Sequence, residues 1–348
     1  MKTIRDVDVK DKTVLVRVDY NVPLADGKVA SDLRILASLE TIKYLQEHGA
    51  KIVLISHLGR PEGVDAKFSL APVAEVLAGL IPKVRFVPDL TGESVVKNTA
   101  EMKPGEVILL ENLRFYPGEK ANSDEFAQAI VDATHAEIFV QDGFAVVHRA
   151  HASTDAIAKI LPAYAGFLVE KEVENLSKAV ENPEKPVVLV IGGSKVEDKQ
   201  PLIDKFLTVA DKILVGGKIA ADGYKAQSDK IYVAEDFDTD ESGAKLDIGP
   251  VSAAKFAEAI ADAKTVIWNG VLGKVEDPAY DASSTIVATV MGEKRDGLTV
   301  VCGGDTTGFV EGLQKTHPAL EYSLVSTGGG AALEYLLGRA LPGLVPLE

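Results

Sequence analysis

The sequence holds a single cysteine, Cys302, in 348 residues, which excludes an internal disulfide framework. No apolar run approaches the roughly 20 residues needed to cross a bilayer, and no low-complexity tract or fixed-period repeat appears. The first residues, Met1-Lys2-Thr3-Ile4-Arg5-Asp6, lack the apolar core of a signal peptide, so a cytoplasmic protein is expected. Positive charge is also in deficit. The 37 Lys and Arg against 52 Asp and Glu leave a net charge of −15, which argues against binding nucleic acid or an anionic membrane through the overall field. Any anionic ligand must therefore meet local cations. Two common phosphate signatures, G-x-x-x-x-G-K-[ST] and G-x-G-x-x-G, are missing, so neither a Walker loop nor a dinucleotide fingerprint is available.

The length is too great for one ordinary core, and two α/β domains of similar size are expected. In the first half, valine- and isoleucine-rich runs at 13–18, 51–55, 84–87, 106–110 and 137–140 read as strands. Helical patterns near 32–48, 69–80, 91–102 and 123–134 separate them. This alternation implies a parallel sheet covered on both faces, in which ligands bind beyond the carboxyl ends of the strands. The segments just past those ends carry Asp19 and Asn21, His57 and Arg60, Arg114, and His148, Arg149 and His151, with Arg34 early in the first helix. In an acidic protein such a row builds a concentrated anion site, because guanidinium forks grip carboxylate and phosphate bidentately. Taken singly, each is an ordinary loop residue, and Asp19 and Asn21 also suit a turn cap. Their recurrence at one edge favours ligand contact.

The second half is organised around Val187-Val188-Leu189-Val190-Ile191-Gly192-Gly193-Ser194-Lys195-Val196-Glu197-Asp198-Lys199. The apolar run reads as a strand buried on both faces. The double glycine lets backbone amides approach an anion, and a helix from near Lys195 brings Lys195 and Lys199 to one face. Either a phosphoryl cradle or a plain turn with two solvated lysines fits these residues alone. Glycine turns recur after apolar runs at Gly216-Gly217, Asn269-Gly270, Gly303-Gly304-Asp305 and Gly328-Gly329-Gly330, and the Asp305 carboxylate suits a hard cation, best a Mg²⁺ that bridges nucleotide phosphates. One half presenting arginines and another presenting glycine amides, lysines and a carboxylate points to phosphoryl transfer between two anionic ligands. Between them, Leu168, Val169, Val173, Leu176 and Val180 mark an amphipathic helix that Pro183 and Pro186 stop.

With these motifs assembled, the chain resembles the phosphoglycerate kinase family along nearly its whole length. Val16-Arg17-Val18-Asp19-Tyr20-Asn21-Val22-Pro23, Ser56-His57-Leu58-Gly59-Arg60-Pro61, Glu111-Asn112-Leu113-Arg114-Phe115 and His148-Arg149-Ala150-His151 look like its substrate-side signatures. Gly192-Gly193-Ser194-Lys195-Val196, Trp268-Asn269-Gly270, Gly303-Gly304-Asp305-Thr306 and Ser326-Thr327-Gly328-Gly329-Gly330 look like its nucleotide- and hinge-side signatures.

The resemblance implies two doubly wound, Rossmann-like parallel-sheet domains joined by a helical hinge: 1–163 for 3-phosphoglycerate, a link at 164–186, 187–330 for nucleotide, and 331–348 returning to the first domain. It implies reversible transfer between 1,3-bisphosphoglycerate and Mg-ADP, yielding 3-phosphoglycerate and Mg-ATP, by a cytoplasmic monomer that closes about its link and binds neither nucleic acid nor membrane. Asp19, Asn21, Arg34, His57, Leu58, Gly59, Arg60, Arg114, His148 and Arg149 would hold the glycerate substrate. Arg34, Lys195 and Gly329 form the implied catalytic set. Gly193, Lys195, Lys199, Gly217, Asn269, Glu276, Gly303, Gly304, Asp305 and Thr306 would serve the nucleotide, with Glu276 at the ribose and Asp305 on Mg²⁺.

The chain departs from the family pattern on the nucleotide side. Lys218 stands where a third glycine belongs, Val271 replaces a proline, Cys302 replaces a glycine, and the stretch from Lys218 to Leu246 is several dozen residues short. Loss of that stretch removes one wall of the base pocket and predicts weak selection among purines, unless Tyr224 or Tyr232 supplies a replacement. A binding protein without efficient turnover and a secreted solute-capture protein are the competing readings; retention of Lys195 and Asp305 argues against the first, and the absent signal peptide against the second.

Overall fold

Every residue of Thr13–Arg17 is buried, and this strand, β1, stands near the middle of a sheet. Strands that lie between two parallel neighbours and under helices on both faces favour unbroken Val, Ile and Leu runs. Its partners are β2 (Lys51–Ile55), with Val16 opposite Leu54, and β5 (Ile138–Gln141), with Val16 opposite Val140. β3 (Val84–Val87), β4 (Val107–Leu110) and β6 (Ala163–Ala165) complete a six-stranded parallel sheet in the order β3-β4-β2-β1-β5-β6. The computed structural model describes residues 1–348 and divides into two units, Met1–Lys171 with Ala340–Glu348, and Glu172–Arg339.

Helices α3 (Ala71–Leu80), α4 (Glu93–Ala100) and α5 (Asp124–Thr134) lie where the sequence pattern predicts them. The single helix expected over 32–48 is two, α1 (Leu33–Ala37) and α2 (Leu39–Glu47). The break has a local cause. Ser38 donates its hydroxyl to the Ile35 carbonyl at 2.8 Å and meets Tyr20 Oη at 2.8 Å, so its side chain competes with the helical ladder. The last residues belong to this unit: Lys2 N donates to Leu347 O at 2.6 Å, and Gly343 N to Val147 O at 2.9 Å. Helix α6 (Phe167–Val180) runs from this unit into the second.

The second unit repeats the plan. β7 (Val187–Ile191), fully buried, pairs in parallel with β8 (Lys212–Val215) and β12 (Thr265–Asn269). The sheet order is β9-β8-β7-β12-β13-β14, with β9 Ile231–Val233, β13 Leu298–Cys302 and β14 Leu324–Val325. Helices α7 (Val196–Phe206), α8 (Gly217–Ala221), α9 (Pro250–Asp262), α10 (Ala282–Glu293), α11 (Gly304–Thr316) and α12 (Gly330–Leu336) connect the strands. A separate antiparallel ribbon, β10 (Phe237–Thr239) with β11 (Lys245–Ile248), stands in the shortened stretch. No helix is long and apolar enough to cross a membrane.

Candidate active site

In the first unit, the loops past β1, β2 and β4 are tied together by side chains that the sequence marked. The Asn112 amide accepts from Leu58 N at 3.1 Å and Arg114 N at 3.0 Å, and donates to the Leu58 and Phe68 carbonyls at 2.8 and 2.9 Å. Asn21 Oδ1 accepts from Gly59 N at 2.8 Å, and Arg114 donates to Gly59 O at 2.6 Å. Gly59 is irreplaceable here: its φ is +64°, and a β-carbon would lie 2.3 Å from the Phe68 ring. Arg34 forms an ion pair with Asp19, and Arg149 Nε lies 3.2 Å from His148 Nε2.

His57 is the centre of this group. Burial first, then the charges of Arg17, Arg114, Arg149 and Arg34, hold its pKa well below the usual imidazole range. Burial also pushes Arg114 down to about 10, and the charges of Arg149, Arg17 and Arg60 act in the same sense. The charges of Arg17, Arg34, Arg114 and Arg149 are thus felt at His57, and that of Arg60 at Arg114. Arg34 is paired with Asp19, whereas Arg60, Arg114 and Arg149 form no ion pair, and cations held so form a binding site for an anion.

Sequence reasoning missed Arg17. It is 1% exposed, donates through Nη2 to His57 Nδ1 at 2.9 Å, and through Nε to Ser153 Oγ at 2.9 Å. Ser153 donates both N and Oγ to Glu119, at 3.0 and 2.7 Å. Burial raises the Glu119 carboxyl, but hydrogen bonds from His151 and Ser153 and the Arg17 charge outweigh it and hold the pKa below its usual range. His151, which the sequence pattern puts on the rim, turns instead to this carboxylate, with Nδ1 3.6 Å from Glu119 Oε1. A buried carboxylate needs partners, and His151 is one of them.

In the second unit, a cavity of about 300 Å³ is lined by Gly193, Gly217, Lys218, Phe237, Lys245, Leu246, Lys274, Glu276 and Asp305, among others. Its glycine turns interlock. A β-carbon at Gly192 would stand 2.2 Å from Val271 O, and one at Gly270 2.3 Å from Gly192 O, so backbone packs directly on backbone. Asp305 is exposed in the first turn of α11, whose cap Gly303 has φ +96°. Lys195 is the exposed N-cap residue of α7.

Lys199 donates to Asn269 Oδ1, while Asn269 Nδ2 donates to Cys302 Sγ at 3.2 Å. Burial lowers the Lys199 pKa, and the nearby Cys302, Asp198 and Asp305 oppose that shift. Asn269 and Thr306 are buried rather than on the cavity wall: Asn269 anchors Lys199, and Thr306 Oγ1 accepts from Gly270 N at 2.8 Å. Gly329, φ +48°, caps α12; the preceding turn is held by Glu172, whose Oε1 accepts from Thr327 N at 2.8 Å. Neither Tyr224 nor Tyr232 walls the cavity. Tyr232 packs edge-on to Phe256, with centroids 6.0 Å apart, and Tyr224 lines a separate cleft with Ser194, Glu197 and Asp222; the aromatic on the wall is Phe237.

No group of three or more His, Cys, Asp or Glu side chains converges to cage a metal. The exposed Asp305, which shares the cavity wall with Asp247 and Glu276, suits Mg²⁺, which dehydrates reluctantly and is commonly held by one or two carboxylates together with substrate phosphates.

Comparison with known proteins covers the whole chain. The family model described as phosphoglycerate kinase matches residues 4–242 and 222–339. A curated phosphoglycerate kinase of Thermus thermophilus is 41% identical over 394 residues, covering 100% of both chains, and one of Fervidobacterium nodosum is 43% identical over 397, covering 99% of this chain and 98% of that one. Among solved structures, phosphoglycerate kinase from Coxiella burnetii superposes with a TM-score of 0.83 at 34% identity, covering 99% of this chain and 98% of that one. The Pyrococcus horikoshii enzyme gives 0.87 at 29%, covering 100% and 98%. Likeness that runs from end to end in sequence, and again in the course of the backbone through both sheets, means that this chain belongs to the phosphoglycerate kinase family.

Proposed function

We propose that the chain catalyses reversible transfer of a phosphoryl group between 1,3-bisphosphoglycerate and Mg-ADP, giving 3-phosphoglycerate and Mg-ATP, as a glycolytic phosphotransferase. The observation that carries this reading is the buried His57, held by Arg17 and acted on by the charges of Arg34, Arg114 and Arg149, with Arg60 acting on Arg114. In an otherwise acidic chain, that group matches a small ligand bearing both carboxylate and phosphate.

Asp19, Asn21, Arg34, His57, Leu58, Gly59, Arg60, Arg114, His148 and Arg149 bind the glycerate. The rigid Asn112 clamp keeps the His57 and Arg114 loops in register before the ligand arrives. Arg34, partly exposed and carried on its own short helix, neutralises charge on the moving group. On the nucleotide side the backbone amides around Gly193, Gly217 and Gly304 and the ammonium groups of Lys195 and Lys199 take the phosphates, with Glu276 toward the ribose. Lys195 and the N-terminus of α12 at Gly329 stabilise the transferring group. Asp305 would hold Mg²⁺ together with the nucleotide phosphates, and the ion would supply charge neutralisation. The protein itself donates no covalent help. It positions, excludes and neutralises, which is what this chemistry requires.

The net charge of −15 and the small-molecule sites support a reading without nucleic acid or membrane partners, as a cytoplasmic monomer. A coupled assay for ATP consumption dependent on 3-phosphoglycerate tests the proposal. Turnover is expected with Mg²⁺ and 3-phosphoglycerate together; its absence in their joint presence overturns the reading.

A further inference from the structure

The short helix that carries Arg34 cannot fix its own direction. α1 has five residues, Leu33–Ala37, and a first helical turn is unfavourable without outside support. Asp32 precedes it without a side-chain bond to its amides. Ile35 packs into the core of the first unit, but hydrophobic packing is non-directional. Direction comes from two polar latches. Arg34 and Ser38 stand four positions apart, which puts both side chains on one face of the helix. They are held by consecutive residues of the loop past β1: Arg34 pairs with Asp19, and Ser38 Oγ meets Tyr20 Oη at 2.8 Å.

The polarity of the second latch is set by its neighbours. Ser38 gives its one hydroxyl proton to the Ile35 carbonyl at 2.8 Å, so its oxygen accepts from the Tyr20 phenol. Tyr20 and Ser38 are both buried, and water does not compete for the bond. Burial raises the phenol pKa above its usual range; the Ser38 bond opposes that shift and the Asp142 charge adds to it. The donor therefore stays protonated. The Tyr20 backbone is fixed from the other side, with N donating to Ser56 Oγ at 2.8 Å while Ser56 Oγ donates to His57 O at 3.2 Å. Tyr20 thus joins the loop that carries His57 to the end of the helix that carries Arg34.

We propose that Tyr20 is a positioning residue for the transfer step: through Ser38 its hydroxyl sets the tilt of α1 and so places Arg34 on the moving phosphoryl group, without holding the glycerate itself. This rests on the reading of Arg34 as the arginine that neutralises that group. With Asp19 as the only polar attachment, α1 can pivot about the Arg34 side chain. A second attachment one turn away removes the pivot. A misplacement of about 1 Å at a reacting group costs up to about a hundredfold in rate, so a single buried oxygen that prevents it has a large effect on kcat.

The test is kcat, and KM for 3-phosphoglycerate, in the wild type, Tyr20→Phe, Arg34→Ala and the double variant, with melting curves to show that all four are folded at the assay temperature. Tyr20→Phe is expected to lower kcat about tenfold and to leave KM within about threefold, because the loops of His57 and Arg114 keep their own bonds. In the Arg34→Ala background it should lower kcat no further, since a residue that acts through Arg34 has nothing left to place. A loss of general stability would lower kcat in both backgrounds alike. A Tyr20→Phe kcat within about twofold of wild type, a rise in KM that exceeds the loss of kcat, or a further fall of about tenfold in the double variant overturns the proposal. Near-normal kcat in Arg34→Ala overturns the reading of Arg34, and a wild type without turnover overturns the proposed reaction. In either case hydrogen exchange at the Leu36 and Ser38 amides tests the latch by itself: exchange about tenfold faster in Tyr20→Phe is expected, and equal rates overturn the placement of α1 by Tyr20.

Discussion

Arg17 donates to Nδ1 of His57 across 2.9 Å, inside the protein, and this single contact decides the chemical state of the histidine. A guanidinium group has only donors, so Nδ1 must accept, and the ring's one proton resides on Nε2. Burial and the surrounding arginine charges keep the ring from taking a second proton. His57 is thus a neutral donor with a fixed orientation. The network from Arg17 through Ser153 to Glu119 and His151 is what keeps the guanidinium in place.

His57 should accordingly show no titration between pH 5.5 and 8, and its nitrogen chemical shifts should report the Nε2–H tautomer throughout. His57→Ala removes a donor to an anion and is expected to raise KM for 3-phosphoglycerate ten- to a hundredfold, equivalent to about 1.5–3 kcal/mol. His57→Gln, which retains an N–H, should recover most of that. A limb near pH 6.5 in the wild-type profile that vanishes in His57→Gln would show the ring to be titrating.

Lys195→Ala is expected to lower kcat by roughly 10²–10³ with little change in KM, because a donor aimed at the transferring group gains strength as charge spreads over it. Arg34→Ala should follow it. Near-normal kcat in either variant removes that residue from the catalytic set.

Arg114 should behave differently from Arg34. It donates to the Gly59 carbonyl and is 7% exposed, so it is built into the substrate loops rather than carried on a separate helix. Arg114→Lys keeps the charge and loses the fork, and is expected to raise KM for 3-phosphoglycerate about tenfold while kcat stays within about threefold. Steady-state kinetics on the pair decides the matter: equal losses of kcat in Arg34→Ala and Arg114→Lys would erase the distinction.

The strands were legible because a parallel sheet writes itself as unbroken apolar runs; Val187–Ile191 could be read with its bounds. The arginine rim was legible because position past a strand end and residue type agree. Arg17 was not, since it lies inside a valine run and nothing in the sequence says that a buried guanidinium has a carboxylate waiting beyond a hundred residues of chain. His151 misled for the same reason: its partner Glu119 belongs to a distant helical turn, Pro117–Lys120. The cavity wall was hidden by its composition. Asp236-Phe237-Asp238-Thr239 and Lys245-Leu246-Asp247-Ile248 carry too little apolar periodicity to announce a ribbon, and a pair of tyrosines nearby drew attention from Phe237.

The interlocked turns give a sharp stability contrast. Gly192→Ala forces a methyl group to within 2.2 Å of a carbonyl oxygen, so the turn must shift. We expect a fall in Tm and at least about tenfold weaker nucleotide binding, since amide positions set phosphate affinity. Gly312→Ala, in the interior of α11 with open space around the position, should instead stabilise by about 0.5–1 kcal/mol. Calorimetric melting of both variants checks the pair, and an unperturbed Gly192→Ala would mean that the turns do not depend on one another.

Asp142 offers a pH test that is independent of activity. It directly follows β5, fully buried, with Oδ1 accepting from Leu168 N at 3.0 Å and Oδ2 without a partner. Burial pushes its pKa up to about 8, against hydrogen bonds from Thr41, Leu168 and Val169 that favour the charged form, while the Glu40 charge adds a small upward push. The unfolded carboxyl ionises near its ordinary value of 3.8. Between those limits the folded chain holds a proton that the unfolded chain has lost, so the group's stabilisation is complete below the unfolded pKa and is lost as pH rises toward 8. The slope in that window is at most about 1.4 kcal/mol per pH unit. Asp142→Asn keeps an oxygen acceptor for Leu168 N and cannot ionise, so it should gain on the wild type steadily from pH 5 to pH 7 and level off past pH 8. Urea denaturation at pH 5, 6, 7 and 8 measures the difference directly. Parallel curves for the two proteins would mean that Asp142 is already ionised in the folded state and that its unpartnered oxygen is satisfied in solution.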